Sequence, residues 1–333
     1  MNEYIYMSIN FLNRSQGAKE YLKSDYIYQM DSDELLYRLR TYGGHFINTP
    51  NSDHLRSQLI HKYIDSVMEF TSDDVISLNF YFDYLFNRLK KICPALIPNK
   101  KSIGLIKLAE NIDWNYPYTI NHCIILPIRF INSLKINPNQ SEIAQKTSIL
   151  CHELIHILQR NNSIYSYHNK IFDFIYCKFW GFIKLNKGDI DIQNKYNYNI
   201  LTNPDGYNYQ WAMYLYNHKN DKSQYLVPIL VTDKTHKPVG ILVESEKNSI
   251  GKYFLTGRWS PIENVAPYMN KFYGMTHQLY HPNEIMAHLI SDYIILGKLH
   301  SKPENIIEYY KFYKFINKYL IKLDRNYCMI PIK

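Results

Sequence analysis

Apolar positions fall at helical spacing in two stretches of the first hundred residues. Asp31-Ser-Asp-Glu34 supplies capping residues ahead of Leu35, Leu36 and Leu39, and Ser72-Asp-Asp-Val75 does the same before a periodic run that reaches Lys91. Pro94 and Pro98 close that run. From Asp113 the pattern changes. Tyr118 to Pro127 is rich in Ile and Thr and ends in proline, which predicts a strand. Helical spacing resumes at Gln140 or Ser141 and continues to about Arg160, and a second apolar helix is expected over Lys170 to Leu185. Short β-like runs follow at Tyr207–Tyr216, Tyr225–Thr232, Val239–Glu244 and Tyr253–Arg258, separated by turn residues. Helices return at Pro282–Leu296 and at Lys302–Leu323, the latter with Pro303 in its first turn. The pattern predicts an α+β chain with a helical N-terminal region over 1–110. A second domain over 111–333 carries a β-rich insertion at about 196–262.

Composition narrows the class. With 333 residues, 46% of them apolar, the chain can bury a large core and is not disordered throughout. The formal net charge is +8, but Lys comes with a general excess of Asn, Ile and Tyr, so much of the charge reads as solvated surface. The five cysteines are scattered, odd in number and lack CxxC spacing, which points to free thiols in a reducing compartment. The N-terminus shows no signal-peptide pattern, and no run of eighteen uninterrupted apolar residues occurs. These features predict a soluble intracellular protein without a transmembrane segment. They leave the oligomeric state open.

Candidate chemistry centres on His152-Glu153-Leu154-Ile155-His156, an HExxH motif inside the predicted helix. Residues four apart share a helix face, so His152 and His156 can aim two imidazoles at one point. Glu153 sits about 100° further round and is placed to reach a water on a metal rather than to ligate it. The flanking Ile149, Leu150, Cys151, Ile157 and Leu158 carry no charge, as expected of a buried helix whose polar residues do the chemistry. The competing reading, a core helix with two hydrogen-bonded histidines, would leave Glu153 buried without a partner.

A catalytic zinc needs a third protein ligand and an open position. No Gly and third His follow the motif closely; the chain instead reads Ile-Leu-Gln-Arg-Asn-Asn-Ser. A downstream Glu on another helix is the other common solution, and His281-Pro-Asn-Glu284 with Ala287 one turn on fits it. Glu284 also suits a helix N-terminus as a plain acid stabilised by the macrodipole.

With these residues in view, the chain resembles the gluzincin group of zinc metallopeptidases, whose signature is HExxH followed by a distant glutamate helix. It looks most like an uncharacterised branch with members in large DNA viruses, a source that would place it in host cytoplasm or a virion. The resemblance spans about residues 113–296 and rests on the strand ending at Pro127, the motif helix, the Asn203-Pro-Asp-Gly206 turn with Trp211, and the His-Pro-x-Glu-Ile-x-Ala helix. It implies a zincin-like fold and one zinc per chain held by His152, His156 and Glu284. Glu153 would be the general base for hydrolysis of a peptide or protein substrate. His288, four residues after Glu284, is an alternative ligand, and Asp292 is a candidate to orient an imidazole. The resemblance also implies a substrate-binding edge strand at Tyr118–Leu126 with Asn121 and His122 toward the cleft.

A carbonyl oxygen under attack needs a second stabiliser. Tyr273, His277, Tyr280 and His281 are candidates, with His277 the foremost. Two other functions fit the sequence. One is a zincin-fold zinc protein without proteolysis; intact Glu153 argues against it. The other is a basic nucleic-acid or membrane-surface binder, suggested by Arg88-Leu-Lys-Lys91 and Tyr309-Tyr-Lys-Phe-Tyr-Lys-Phe315. No nucleic-acid motif accompanies those runs, so a nucleic-acid partner is not expected.

Overall fold

The computed structural model describes residues 8–43, 51–97, 102–134, 137–160, 177–182, 199–205, 209–217, 222–232, 237–247, 249–250, 253–266, 269, 276 and 278–297. Their architecture is α+β, with seven α-helices and two five-stranded sheets. The elements in the first half are β1 (Ile9–Phe11), α1 (Arg14–Lys23), α2 (Ser32–Thr41), α3 (Ser52–Ser66), β2 (Val67–Met68), α4 (Ser72–Ile92) and β3 (Ile103–Leu108). They continue with β4 (Tyr118–Ile120), β5 (Cys123–Pro127), α5 (Ile128–Asn132) and α6 (Gln140–Gln159). The second half adds β6 (Cys177–Phe182), β7 (Tyr209–Asn217), β8 (Lys222–Thr232), β9 (Pro238–Lys247), β10 (Tyr253–Pro261) and α7 (Pro282–Leu296).

The first sheet has the order β1-β3-β5-β4, with β2 also pairing β3. β1, β3 and β5 run parallel, while β4 and β2 are antiparallel to their partners. Both central strands are buried throughout, and their side chains alternate between two cores. Ile103, Leu105, Ile124 and Leu126 face a core shared with α4, α6 and α7. Ile106, Leu108, Cys123 and Ile125 face the core of α1, α2 and α3. The sheet is thus covered on both faces. The division expected near residue 110 falls just after β3, inside a sheet drawn from both sides of it. The first 110 residues contribute three strands as well as helices.

Two local expectations change. Tyr118–Leu126 is not one strand but a hairpin, β4 and β5, turning at Asn121, whose φ is 48°. Asn tolerates this left-handed backbone better than most residues. Within the expected helix at Lys170–Leu185, Cys177–Phe182 is a strand, β6, paired antiparallel with β7. A short apolar run cannot be assigned to helix or strand by periodicity, and pairing along β7 decides it. The remainder of that stretch and the predicted helix at Lys302–Leu323 lie outside the described residues.

The second sheet is antiparallel throughout, in the order β10-β9-β8-β7-β6. Leu226 of β8 and Leu242 of β9 join the core of α4, α6 and α7, while Val227, Ile229, Val231, Ile241 and Val243 form a separate core on the opposite face. Among the described residues, no helix is long and apolar enough to cross a membrane.

Candidate metal centre

Helix α6 carries the HExxH residues. It begins with a capping box in which Asn139 accepts from the Glu142 N–H and the Glu142 carboxylate accepts from the Asn139 N–H. Its apolar face packs against α4 and α7 and against strands β4 and β5. Helix α7 starts at Pro282, with the His281 Nδ1 accepting from the Asn283 N–H at 3.1 Å, and ends at Gly297 in the left-handed conformation (φ 69°). Ala287, fully buried on α7, permits close packing of the two helices. Glu284 in the first turn of α7 is thereby brought to the two histidines of α6.

Three donor atoms converge. His152 Nε2 lies 2.9 Å from His156 Nε2 and 3.1 Å from Glu284 Oε2, and His156 Nε2 lies 3.2 Å from the same oxygen. These separations approach the edge of about 3.3 Å expected of a tetrahedron with metal–ligand bonds of about 2.05 Å. Proton bookkeeping makes the trio more specific. Gln159 Nε2 donates to the Asn283 carbonyl at 3.0 Å, so its Oε1, 2.8 Å from His156 Nδ1, accepts from that nitrogen. The His156 Nδ1 therefore carries a proton, and Nε2 is the nitrogen that faces the carboxylate oxygen. A contact of that length holds either a proton or a metal cation between the two atoms, and the donor set of two imidazoles and one carboxylate suits zinc.

The local field agrees. Burial disfavours a charged His156, but the carboxylates of Glu284, Asp205 and Glu153 outweigh it and lift its pKa to about 10. Burial likewise works against ionised Glu284, yet the two histidines hold its carboxyl well below the usual range. Glu153 is buried and lies beside His156 and Asp205, and its Oε2 has no hydrogen-bond partner among the described residues. Burial first, and the nearby Asp205 carboxylate next, push its pKa well above the ordinary value. A carboxyl in that setting binds a proton readily.

Among the other candidates, His288 has its ring centroid 6.5 Å from that of His152, with Nδ1 3.5 Å from Asp292 Oδ2, and it is not among the converging atoms. Asp292 accepts from Ser148 Oγ at 2.9 Å and faces His288, so the group that orients His156 is Gln159. Tyr280 is tied to the cluster by a hydrogen bond to Glu284. Burial, the surrounding carboxylates and that bond raise its pKa well above the ordinary value. Gly240 of β9 admits this tyrosine: a Cβ there would stand 2.6 Å from Tyr280 Cβ and 2.3 Å from Ile262 Cδ1. His281 acts as the cap of α7. Tyr273 and His277 lie outside the described residues.

Asn121 and His122 occupy the β4–β5 turn. Asn121 donates to the backbone oxygen and carboxylate of Glu20 on α1, and His122 is exposed. Neither joins the cluster. The outer edge of β4 is also closed, since the Thr119 N–H donates to Asp205 Oδ1 at 3.1 Å and its C=O accepts from Arg160 Nη2 at 2.9 Å.

Residues 203–205 are the part of the site that the motif does not announce. Asn203 Nδ2 donates to Glu284 Oε1 at 3.1 Å, and Asp205 accepts from Arg160 at 2.9 Å beside Glu153 and His156. The Asn203-Pro-Asp205 stretch reads as a tight turn, and it is one: Asn203 Oδ1 accepts from the Asp205 N–H at 2.9 Å. Only its placement against α6 and α7 reveals more.

No protein-family model matches the chain, and neither a curated protein nor a solved structure matches it.

Proposed function

We propose that this protein is a zinc-dependent metallopeptidase of the gluzincin kind, with a zincin-like arrangement around α6 and α7. The observation that carries the reading is the convergence of His152 Nε2, His156 Nε2 and Glu284 Oε2 beside the buried, unpartnered carboxylate oxygen of Glu153. One zinc, held by those three residues, would act as a Lewis acid toward a substrate carbonyl and a water. Glu153 takes the proton from the attacking water and returns it to the leaving amine. Its buried setting favours the protonated state midway. Gln159 keeps the proton of His156 on Nδ1, and Tyr280 stands beside Glu284 as a polar group near the reacting atoms.

A specific observation favours a second reading, a zinc protein of the same fold that does not cleave proteins. With the outward groups of Thr119 engaged by Asp205 and Arg160, β4 offers no free backbone there to an extended peptide.

The test is zinc content per chain in the wild type and in Glu284→Ala, followed by peptide-library hydrolysis by the wild type and Glu153→Gln. About one zinc in the wild type, largely lost in Glu284→Ala, with cleavage that disappears in a zinc-retaining Glu153→Gln, is the expected result. Zinc without cleavage of any peptide moves the conclusion to the second reading. No zinc in the wild type overturns both.

A further inference from the structure

The Glu284 carboxylate has two oxygens, and only Oε2 faces the imidazoles. We propose that Asn203 holds Glu284 as a one-oxygen ligand, and that the buried Glu34–Arg38 pair of α2 fixes Asn203 in that role. This deepens the metal-site reading above and rests on it.

The orientation of the Asn203 amide is settled by its partners. Oδ1 accepts from the Asp205 N–H, so Nδ2, which can only donate, faces Glu284 Oε1 at 3.1 Å. That donor occupies a lone pair of Oε1 and presents a positive edge where a cation would otherwise sit. Oε2 is left as the single oxygen turned toward His152 and His156. A glutamate free to swing would bring both oxygens to a cation and fill the position that a catalytic site keeps open.

What keeps the amide in place is the anchoring on either side of it. One residue earlier, the Thr202 N–H and Oγ1 donate to Glu34 at 2.9 and 2.7 Å, and its C=O accepts from Arg38 Nη2 at 3.4 Å. Glu34 and Arg38 are fully buried one helical turn apart and pair at 2.8 Å, and Arg38 is held again by Asp113. Two residues later, Asp205 is bound through its carboxylate to Thr119 and Arg160, and its C=O accepts from Asn283 Nδ2 at 3.2 Å. Pro204 stiffens the link between these anchors. Helix α2 thus acts on Glu284 without touching it. Asn203 is a positioning residue, and Glu34 and Arg38 position it in turn.

The test uses the full chain, stripped of metal and titrated with zinc against a chromophoric chelator, with the cobalt(II) absorption spectrum recorded in parallel. Asn203→Ser keeps an oxygen for the Asp205 N–H but is too short to reach Glu284. It is expected to bind zinc about 10–100-fold more weakly. Its cobalt(II) bands should weaken as the second carboxylate oxygen enters and coordination rises. Thr202→Val, which removes one of the two bonds to Glu34, should shift both readouts the same way by a smaller factor. It carries the test if Asn203→Ser does not fold. Wild-type affinity and an unchanged cobalt(II) spectrum in the folded variant overturn the proposal while leaving the metal site standing. A wild type that takes up neither metal overturns the site and this inference together.

Discussion

Gln159 lies one turn beyond His156, and its side chain is a relay between a backbone carbonyl on α7 and an imidazole on α6. Removing it leaves the His156 Nδ1–H and the Asn283 carbonyl without their partner and frees the ring to change tautomer or rotate. Gln159→Leu is expected to lower zinc affinity about 10–100-fold with the fold retained, measured by chelator competition beside far-UV circular dichroism. His152, Glu153 and His156 were legible in the sequence because they share one helix, where spacing alone fixes which side chains meet. Glu284 was legible as a type of residue at a helix start. The Asn203-Pro-Asp-Gly206 turn stood out only through the resemblance, and the roles of Asn203 and Asp205, like that of Gln159, were not legible, because each matters through a contact with a distant segment that no local pattern encodes.

The same contrast holds among the elements. β8, β9 and β10 were visible as β-branched, alternating runs between turns, and α2, α4 and α7 through their caps. β3 was missed: Ile103-Gly-Leu-Ile-Lys-Leu108 is nearly all apolar because it is buried on both faces, and such a run has no period to read. Its one charge, Lys107, is buried against Asp74 of α4 at 2.6 Å. Asp74 also closes the α4 capping box with Thr71. Burial works against its ionised form, but the bonds from Lys107 and Thr71 prevail and hold its pKa below the ordinary value. The stability this contributes is present above the unfolded-state pKa of about 3.9 and is lost as pH falls through the lower folded-state value. Asp74→Asn is therefore expected to cost about 1–2 kcal/mol at neutral pH. In urea titrations repeated at decreasing pH, its deficit relative to wild type should shrink over that acid range.

At the scale of the whole molecule, the N-terminal helices are built into the fold rather than appended to it. β1 and β3 lie in one sheet with β5, and Asp113, beyond the first 110 residues, accepts from Arg38, Tyr42 and Tyr63 before them. A chain restricted to residues 111–333 loses the strand beside β5 and strands the Asp113 carboxylate without its buried partners. It is expected to lack cooperative thermal unfolding; a sharp transition in that fragment would show that the second half folds alone. The closed margin of β4 has one more consequence. Sheets end in rows of bare amides and carbonyls that invite any other strand to dock, including one from a second copy of the same chain. Here, at Thr119, the last strand ends against an arginine and an aspartate, so the ion pair that borders the candidate site also denies that margin to self-templated growth.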